Sequence, residues 1–271
     1  MLSWVDGRPA AHLPLGDRGL AYGDGLFETL LVRRGSPTLL TEHLQRLRLG
    51  CARLGLPLDE PLVRDELLAF CAELGEGVAK LILTRGDGLR GYAPPAEAAP
   101  RRLLLASPLP TYPSTHAEQG IELYPCALRL AEQPALAGLK HLNRLEQVLA
   151  RAEWQDARYA EGLLRDQVGR VVEGVFSNLF LVSDGRLLTP ALERCGVAGV
   201  MRAALLREAA ARGLVCEVRD IAHDEMLAAQ EVFLCNSVYG VWPVRRLQSH
   251  TWSPGPVTRK LQGIARTLLD G

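Results

Sequence analysis

In GLKHLNRLEQVLAR, residues 138–151, a lysine and a histidine precede a run of apolar residues. Leu142, Leu145, Val148, Leu149 and Ala152 recur at spacings of three and four, which predicts one helix face beginning at Leu142. The start of a helix carries partial positive charge and disfavours a cation. Lys140 at that mouth leaves two readings: a surface lysine in a slightly unfavourable place, or an amine put to use. To attack an aldehyde the amine must be neutral, although its ordinary pKa is about 10.4. Partial burial and the nearby Arg144 both favour the neutral form.

Other segments carry groups that could act with such an amine. Glu173 lies in GRVVEGVFSNLFLV, among valine, phenylalanine and leucine. A buried carboxylate is costly unless paired, so two readings stand: an outward-facing glutamate, or a carboxylate for a cationic ring nitrogen. Asn178, in the same segment, reads as a bend residue. In GVAGVMRAALLREAA, from Gly196, glycines precede a helix whose first N–H groups suit an anion. An ordinary glycine-rich turn is the other reading. Arg46, in TEHLQRLRL, lies off its apolar helix face and reads by itself as a solvated charge. His43 and His141 have no metal-ligand spacing and read as structural residues. GDGLRG, residues 86–91, has the spacing of a dinucleotide loop, but YAPP follows it, and two prolines cannot continue a helix. A mobile loop presenting Arg90 and Tyr92 is the better reading.

These residues need elements to hold them. LSWVDG predicts a short strand, and LFETLLVR-RGSP-TLL a hairpin. Thr41 caps a helix with Leu44, Leu47, Cys51 and Leu54 on its apolar face, and Asp59 and Pro61 start another with Leu62, Leu67, Phe70, Cys71 and Leu74. VAKLILTR and RRLLLAS are strands joined by a long loop. Residues 107–120 hold three prolines and little apolar content, as a linker would. Beyond it, IELYPCALRL is a strand, EGLLRD and GRVVEGVF form a hairpin, and SNLFLV and RLLTP form another around Asp184-Gly185. VMRAALLREAAARG is a helix, VCEVRD and EVFLCN are strands, and a helix near VTRKLQGIARTLLD follows. Mixed elements without regular alternation predict two α+β domains: 1–107, a linker at 108–120, and a strand-rich 121–271.

Bulk properties exclude several classes. The 271 residues carry 31 basic and 31 acidic side chains, so nothing favours nucleic acid or an anionic membrane. The six cysteines form no CxxC pair and no zinc spacing, so no metal is expected and a reducing compartment is. The N-terminus does not read as a signal peptide, and no uninterrupted 18-residue apolar stretch exists. A soluble cytoplasmic protein is expected.

The segments DRGLAYGDGLFET, HLQRL, KHLNRLEQ, EGVFSNLF, GVAGVMR and FLCNSVYGVWPV, in that order, resemble the fold-type-IV pyridoxal-phosphate enzymes, the class IV aminotransferase family. The resemblance implies a small N-terminal α/β domain, a larger strand-rich domain, pyridoxal 5'-phosphate as cofactor, and a homodimer. It makes Lys140 the Schiff-base lysine and Glu173 the partner of the pyridine nitrogen. Arg46 would pair with the cofactor phosphate, as would the backbone N–H groups of Val200 and Met201. Relatives often carry threonine where Met201 stands, so a hydroxyl contact is lost and the amide kept. Ser237 matches a phosphate-binding threonine. Phe27, Thr29, Arg90, Tyr92 and Asn143 would line the substrate pocket, with a lesser claim. The family contains transaminases for D- and branched-chain amino acids and a lyase of folate synthesis. RGDGLRGY and GLKHLNRLEQVLAR are most similar to the lyase branch, which implies the substrate 4-amino-4-deoxychorismate and the products p-aminobenzoate and pyruvate. Amino transfer from D- or branched-chain amino acids is the alternative.

Overall fold

The computed structural model describes residues 2–270, and the chain divides into two units. The first holds the chain up to Pro110, with Leu139–Asn143 and the residues from Leu269. Its elements are β1 (Ser3–Val5), β2 (Arg8–Pro9), α1 (Arg18–Tyr22), β3 (Gly25–Arg33), β4 (Ser36–Pro37), α2 (Leu40–Leu54), α3 (Glu60–Leu74), β5 (Gly77–Thr84) and β6 (Arg101–Ser107). The strands form one sheet in the order β2-β1-β6-β5-β3-β4, antiparallel throughout. Leu44, Leu47 and Cys51 of α2 and Leu67, Phe70 and Cys71 of α3 are buried in one core with Leu30, Leu81 and Leu104 of the sheet. Asp59 caps α3 by accepting the Leu62 N–H at 3.1 Å.

The expected strand at TLL is absent, and Thr41 is not a cap. The Thr38 N–H donates to Leu31 O at 2.8 Å, which extends the hairpin by one residue; Leu39 then takes a left-handed φ of 52° and α2 begins at Leu40. Helix α1 was not anticipated. Asp17 starts it by accepting the N–H groups of Gly19 and Leu20.

The second unit comprises Thr111–Gly138 and Arg144–Leu268. It contains α4 (Thr115–Glu118), β7 (Ile121–Leu130), α5 (Leu145–Ala152), β8 (Tyr159–Asp166), β9 (Val171–Gly174), β10 (Asn178–Ser183), β11 (Arg186–Pro190), α6 (Val200–Ala211), β12 (Cys216–Arg219), α7 (His223–Ala228), β13 (Glu231–Asn236), β14 (Gly240–Leu247), β15 (His250–Thr251) and most of α8 (Pro256–Asp270). The sheet runs β12-β11-β10-β13-β14-β7-β8-β9, with β15 on β14. Strand β9 also pairs with β10, closing the ring β10-β13-β14-β7-β8-β9. Both expected hairpins form, and Asp184 and Gly185 turn the second with φ of 48° and 72°. No described helix is long and apolar enough to cross a membrane.

The helix expected from Leu142 begins instead at Leu145. Its apolar stripe is not buried within the chain: Leu145 is 75% exposed, and Val148 and Leu149 are 60% exposed. Two carboxylates orient α5. Glu146 accepts the Ala131 N–H at 2.7 Å, and Glu153 accepts those of Ala127 and Leu128 at 2.6 and 2.8 Å. These bonds turn the polar flank of α5 towards β7 and leave the leucine face outside.

Candidate active site

Lys140 does not sit at a helix mouth. Strand β3 pairs with β5 along its length and with β4 only at Val32 and Arg33, so its first residues have an open edge. The segment after Leu139 takes that edge. Phe27 N–H donates to Lys140 O at 2.9 Å, Leu142 N–H donates to Gly25 O at 3.1 Å, and Leu26 bridges His141. This is why Leu139–Asn143, expected with the C-terminal half, packs with the first unit. The half-buried Lys140 places Nζ 4.3 Å from the centre of the Phe27 ring. Lys80 lies over the same ring at 5.0 Å, and Thr29 faces Lys80 across the β3–β5 pair. Asn143 Nδ2 donates to Gly23 O at 3.2 Å.

Beneath this surface lies a buried charge cluster. Arg46 Nε donates to Glu28 Oε1 at 2.8 Å and Nη2 donates to Oε2, while His43 Nδ1 lies 2.6 Å from Glu28 Oε2. Arg46 is therefore no solvated charge. The loop between β5 and β6 is pinned by Arg18, which donates to the carbonyls of Gly91, Tyr92 and Ala93 at 3.0–3.3 Å. The loop leaves Arg90 exposed and the Tyr92 side chain 86% exposed, at a ring distance of 5.4 Å from Tyr22.

In the second unit, Glu173 is buried at the end of β9, 3% exposed. Its Oε2 accepts the Val197 N–H at 2.8 Å. Across the β9–β10 pairing it faces Asn178, whose Nδ2 donates to Val197 O at 2.8 Å. The peptide flanks of Val197 are thus held from both sides, and Asn178 is a ligand of this segment, not only a bend residue. Two residues on, Gly199 caps α6 with no side chain. A Cβ at Gly199 would collide with Asn178 Oδ1, so the close approach requires glycine. The first N–H groups of a helix have no partner inside it. Here they include those of Val200 and Met201, whose side chains point inward and are buried. Ser237 lies half-buried in the turn after β13, where Asn236 Oδ1 accepts the N–H groups of Val238 and Tyr239 at 2.9 Å. Burial depresses the Arg144 guanidinium, against the opposing charges of Glu173 and Glu146.

The structure thus groups Lys140, Phe27, Thr29, Asn143 and Arg46 within the first unit, and Glu173, Val200, Met201 and Ser237 within the second. Sequence reasoning passed over Glu28 and Glu161. Both carry the signal that marked Glu173, a carboxylate inside an apolar strand: GLFETLLV and YAEGLL. The chemistry of these groups is of the kinds that pyridoxal phosphate takes: in the first unit an amine over an aromatic face, and in the second a buried carboxylate and a helix start whose cap has no side chain.

The family described as amino-transferase class IV matches residues 25–247. An aminodeoxychorismate lyase from Vibrio harveyi is 36% identical over 269 residues, covering 97% of this chain and 99% of the relative. The crystal structure of 4-amino-4-deoxychorismate lyase from Pseudomonas aeruginosa is 65% identical and superposes with a TM-score of 0.98 over 100% of both chains. The branched-chain amino acid aminotransferase of Escherichia coli is 25% identical with a TM-score of 0.83, over 99% of this chain and 94% of that one. The α+β architecture of fold type IV is the one observed.

Proposed function

Because the chain belongs to the class IV amino-transferase family, we propose that it is a pyridoxal-phosphate lyase that converts 4-amino-4-deoxychorismate into p-aminobenzoate and pyruvate. The observation that carries this reading is the end-to-end likeness to two proteins named for that reaction.

When bound, pyridoxal phosphate supplies an aldehyde for the substrate amine and a conjugated ring that withdraws electrons from the adjoining carbon. Lys140 Nζ takes the proton from the ring carbon that bears the amine, acting as the general base. The electron pair left behind expels the neighbouring enolpyruvyl oxygen. One C–H and one C–O bond break, one ring double bond forms, and the released enolpyruvate gains a proton on carbon to become pyruvate. Atoms balance with no water, keto acid or oxidant, and aromatisation makes the step downhill. Glu173 holds a proton at the cofactor's ring nitrogen, and the Val197 N–H keeps its carboxylate aligned. Val200 and Met201 offer backbone N–H groups to the phosphate in this reading, Ser237 a hydroxyl and Arg46 a guanidinium, which Glu28 orients. Arg90, Tyr92, Asn143, Phe27 and Thr29 contact the substrate in this reading.

The active form is a homodimer in the same reading. Leu145, Val148 and Leu149 form an exposed apolar stripe on α5, the kind of patch that marks an association surface. The cytoplasm is the inferred location, supported by six free cysteines. Incubation with aminodeoxychorismate and no keto acid tests the function: p-aminobenzoate supports it, and keto-acid-dependent amino transfer instead supports a transaminase.

A further inference from the structure

Glu161 lies on β8 and is fully buried. Its carboxylate collects four donors. Oε1 accepts the N–H groups of Gly162 at 2.9 Å and Val175 at 3.0 Å. Oε2 accepts the Ser177 hydroxyl at 2.7 Å and the Phe176 N–H at 3.3 Å. Three of these donors belong to the turn 174–177, and the residues that flank that turn are Glu173 and Asn178, paired across β9 and β10. Glu173 and Asn178 in turn grip the two sides of Val197, two residues before the cap of α6. A continuous series of contacts thus runs from Glu161 through the turn to the start of α6.

We propose that Glu161 is a positioning residue: it holds the 174–177 turn so that Glu173 and Asn178 meet Val197 and set the start of α6. The turn has little freedom to be shaped otherwise. A Cβ at Gly174 would come within 3.0 Å of the Glu161 carboxyl carbon and collide with Ser177 Oγ. An ionised carboxylate only accepts, which matches four donors. A glutamine in its place turns an NH2 group against at least one N–H. Burial pushes the Glu161 carboxyl up to about 7, opposed by the Ser177 hydroxyl and the three amides. The catalytic role of Glu173 rests on the function proposed above; the coupling of Glu161 to Val197 does not.

Hydrogen exchange of the full-length protein without ligand tests that coupling. In Glu161→Gln, exchange should rise about tenfold at Val175 and Phe176, as expected for a lost hydrogen bond, and rise similarly at Val197, which Glu161 does not touch. Ser177→Ala, which removes one donor, should give a smaller rise at the same three amides. In the holoenzyme, Glu161→Gln should shift the absorbance of the bound cofactor and lower kcat with little change in KM. Unchanged exchange at Val197 in a folded Glu161→Gln protein overturns the proposal, because the carboxylate would then serve its own turn alone. Should that variant not fold, Ser177→Ala decides: faster exchange at Val197 supports the relay, and wild-type exchange there overturns it. A protein inactive with aminodeoxychorismate would still give a clear exchange result.

Discussion

Arg46 and Glu28 form a buried ion pair, in which Nε donates to Oε1 at 2.8 Å and Nη2 donates to Oε2. Burial by itself would raise the Glu28 carboxyl, but the charge and hydrogen bonds of Arg46, aided by His43, hold it down at about 2. Between its ordinary 4.5 and about 2, the unfolded chain binds a proton that the folded chain does not. The pair's contribution is therefore complete above pH 4.5 and lost as the pH falls towards 2. It amounts to on the order of 3 kcal/mol. His43 acts in the same direction, since burial lowers its pKa and the unfolded chain takes up a proton below 6.5. Urea unfolding against pH checks this. Glu28→Gln should be less stable at neutral pH and lose the steep slope below pH 4.5; a slope equal to wild type would exclude Glu28 as its source.

The chain has three lysines, Lys80, Lys140 and Lys260, so covalent labelling has few possible outcomes. Lys80 and Lys140 both lie over Phe27, which makes the comparison sharp. Borohydride reduction of the holoenzyme should fix the cofactor on the peptide that carries Lys140. Lys140→Ala should abolish trapping while the protein still melts cooperatively, and its turnover should fall by at least about 10²-fold, the usual worth of a positioned base. Label on Lys80 or Lys260 would remove Lys140 from its role.

Glu173→Gln should retain cofactor and lose turnover by roughly 10²-fold, because an amide does not keep a ring nitrogen protonated. Its oxygen can still accept the Val197 N–H, so the melting temperature should change little. Glu173→Ala removes the acceptor of that half-buried N–H and should lose about 1 kcal/mol of stability. Wild-type turnover in the glutamine variant would dismiss the carboxylate from the mechanism.

Much of this was legible from residue patterns. Period-two apolar runs located most of the strands, and Asp59 and Asp184-Gly185 marked a cap and a hairpin turn that the structure contains. The boundary of α5 was not legible, because periodicity at 142–152 reports an apolar stripe and not where helical backbone begins. The open edge of β3 claims Lys140 and Leu142, and that competition is tertiary. Nor does a stripe say what covers it: the anchors of α5 are Glu146 and Glu153, which accept from the N–H groups of Ala131 and Ala127, at the end of β7 and distant in sequence. Lys140 was singled out by its company in sequence, whereas the setting that places it on Phe27 came from the sheet.

The exposed stripe on α5 gives a test of assembly. Burying a leucine contributes roughly 1.5–3 kcal/mol. Val148→Asp with Leu149→Asp should convert a dimer into monomers by sedimentation, with the isolated fold intact, since both side chains lie outside the core. A wild-type protein that sediments as a fully active monomer would refute the homodimer.

The product formed from aminodeoxychorismate is the most direct measurement of all. Purified holoenzyme, supplied with that substrate and no keto acid, should release p-aminobenzoate and pyruvate in equal amounts. The prediction follows from a base at Lys140 Nζ and a leaving group on the adjacent ring carbon. Steady amino transfer from D-alanine or leucine to a keto acid, with no pyruvate from aminodeoxychorismate, would contradict the lyase and leave a transaminase in its place.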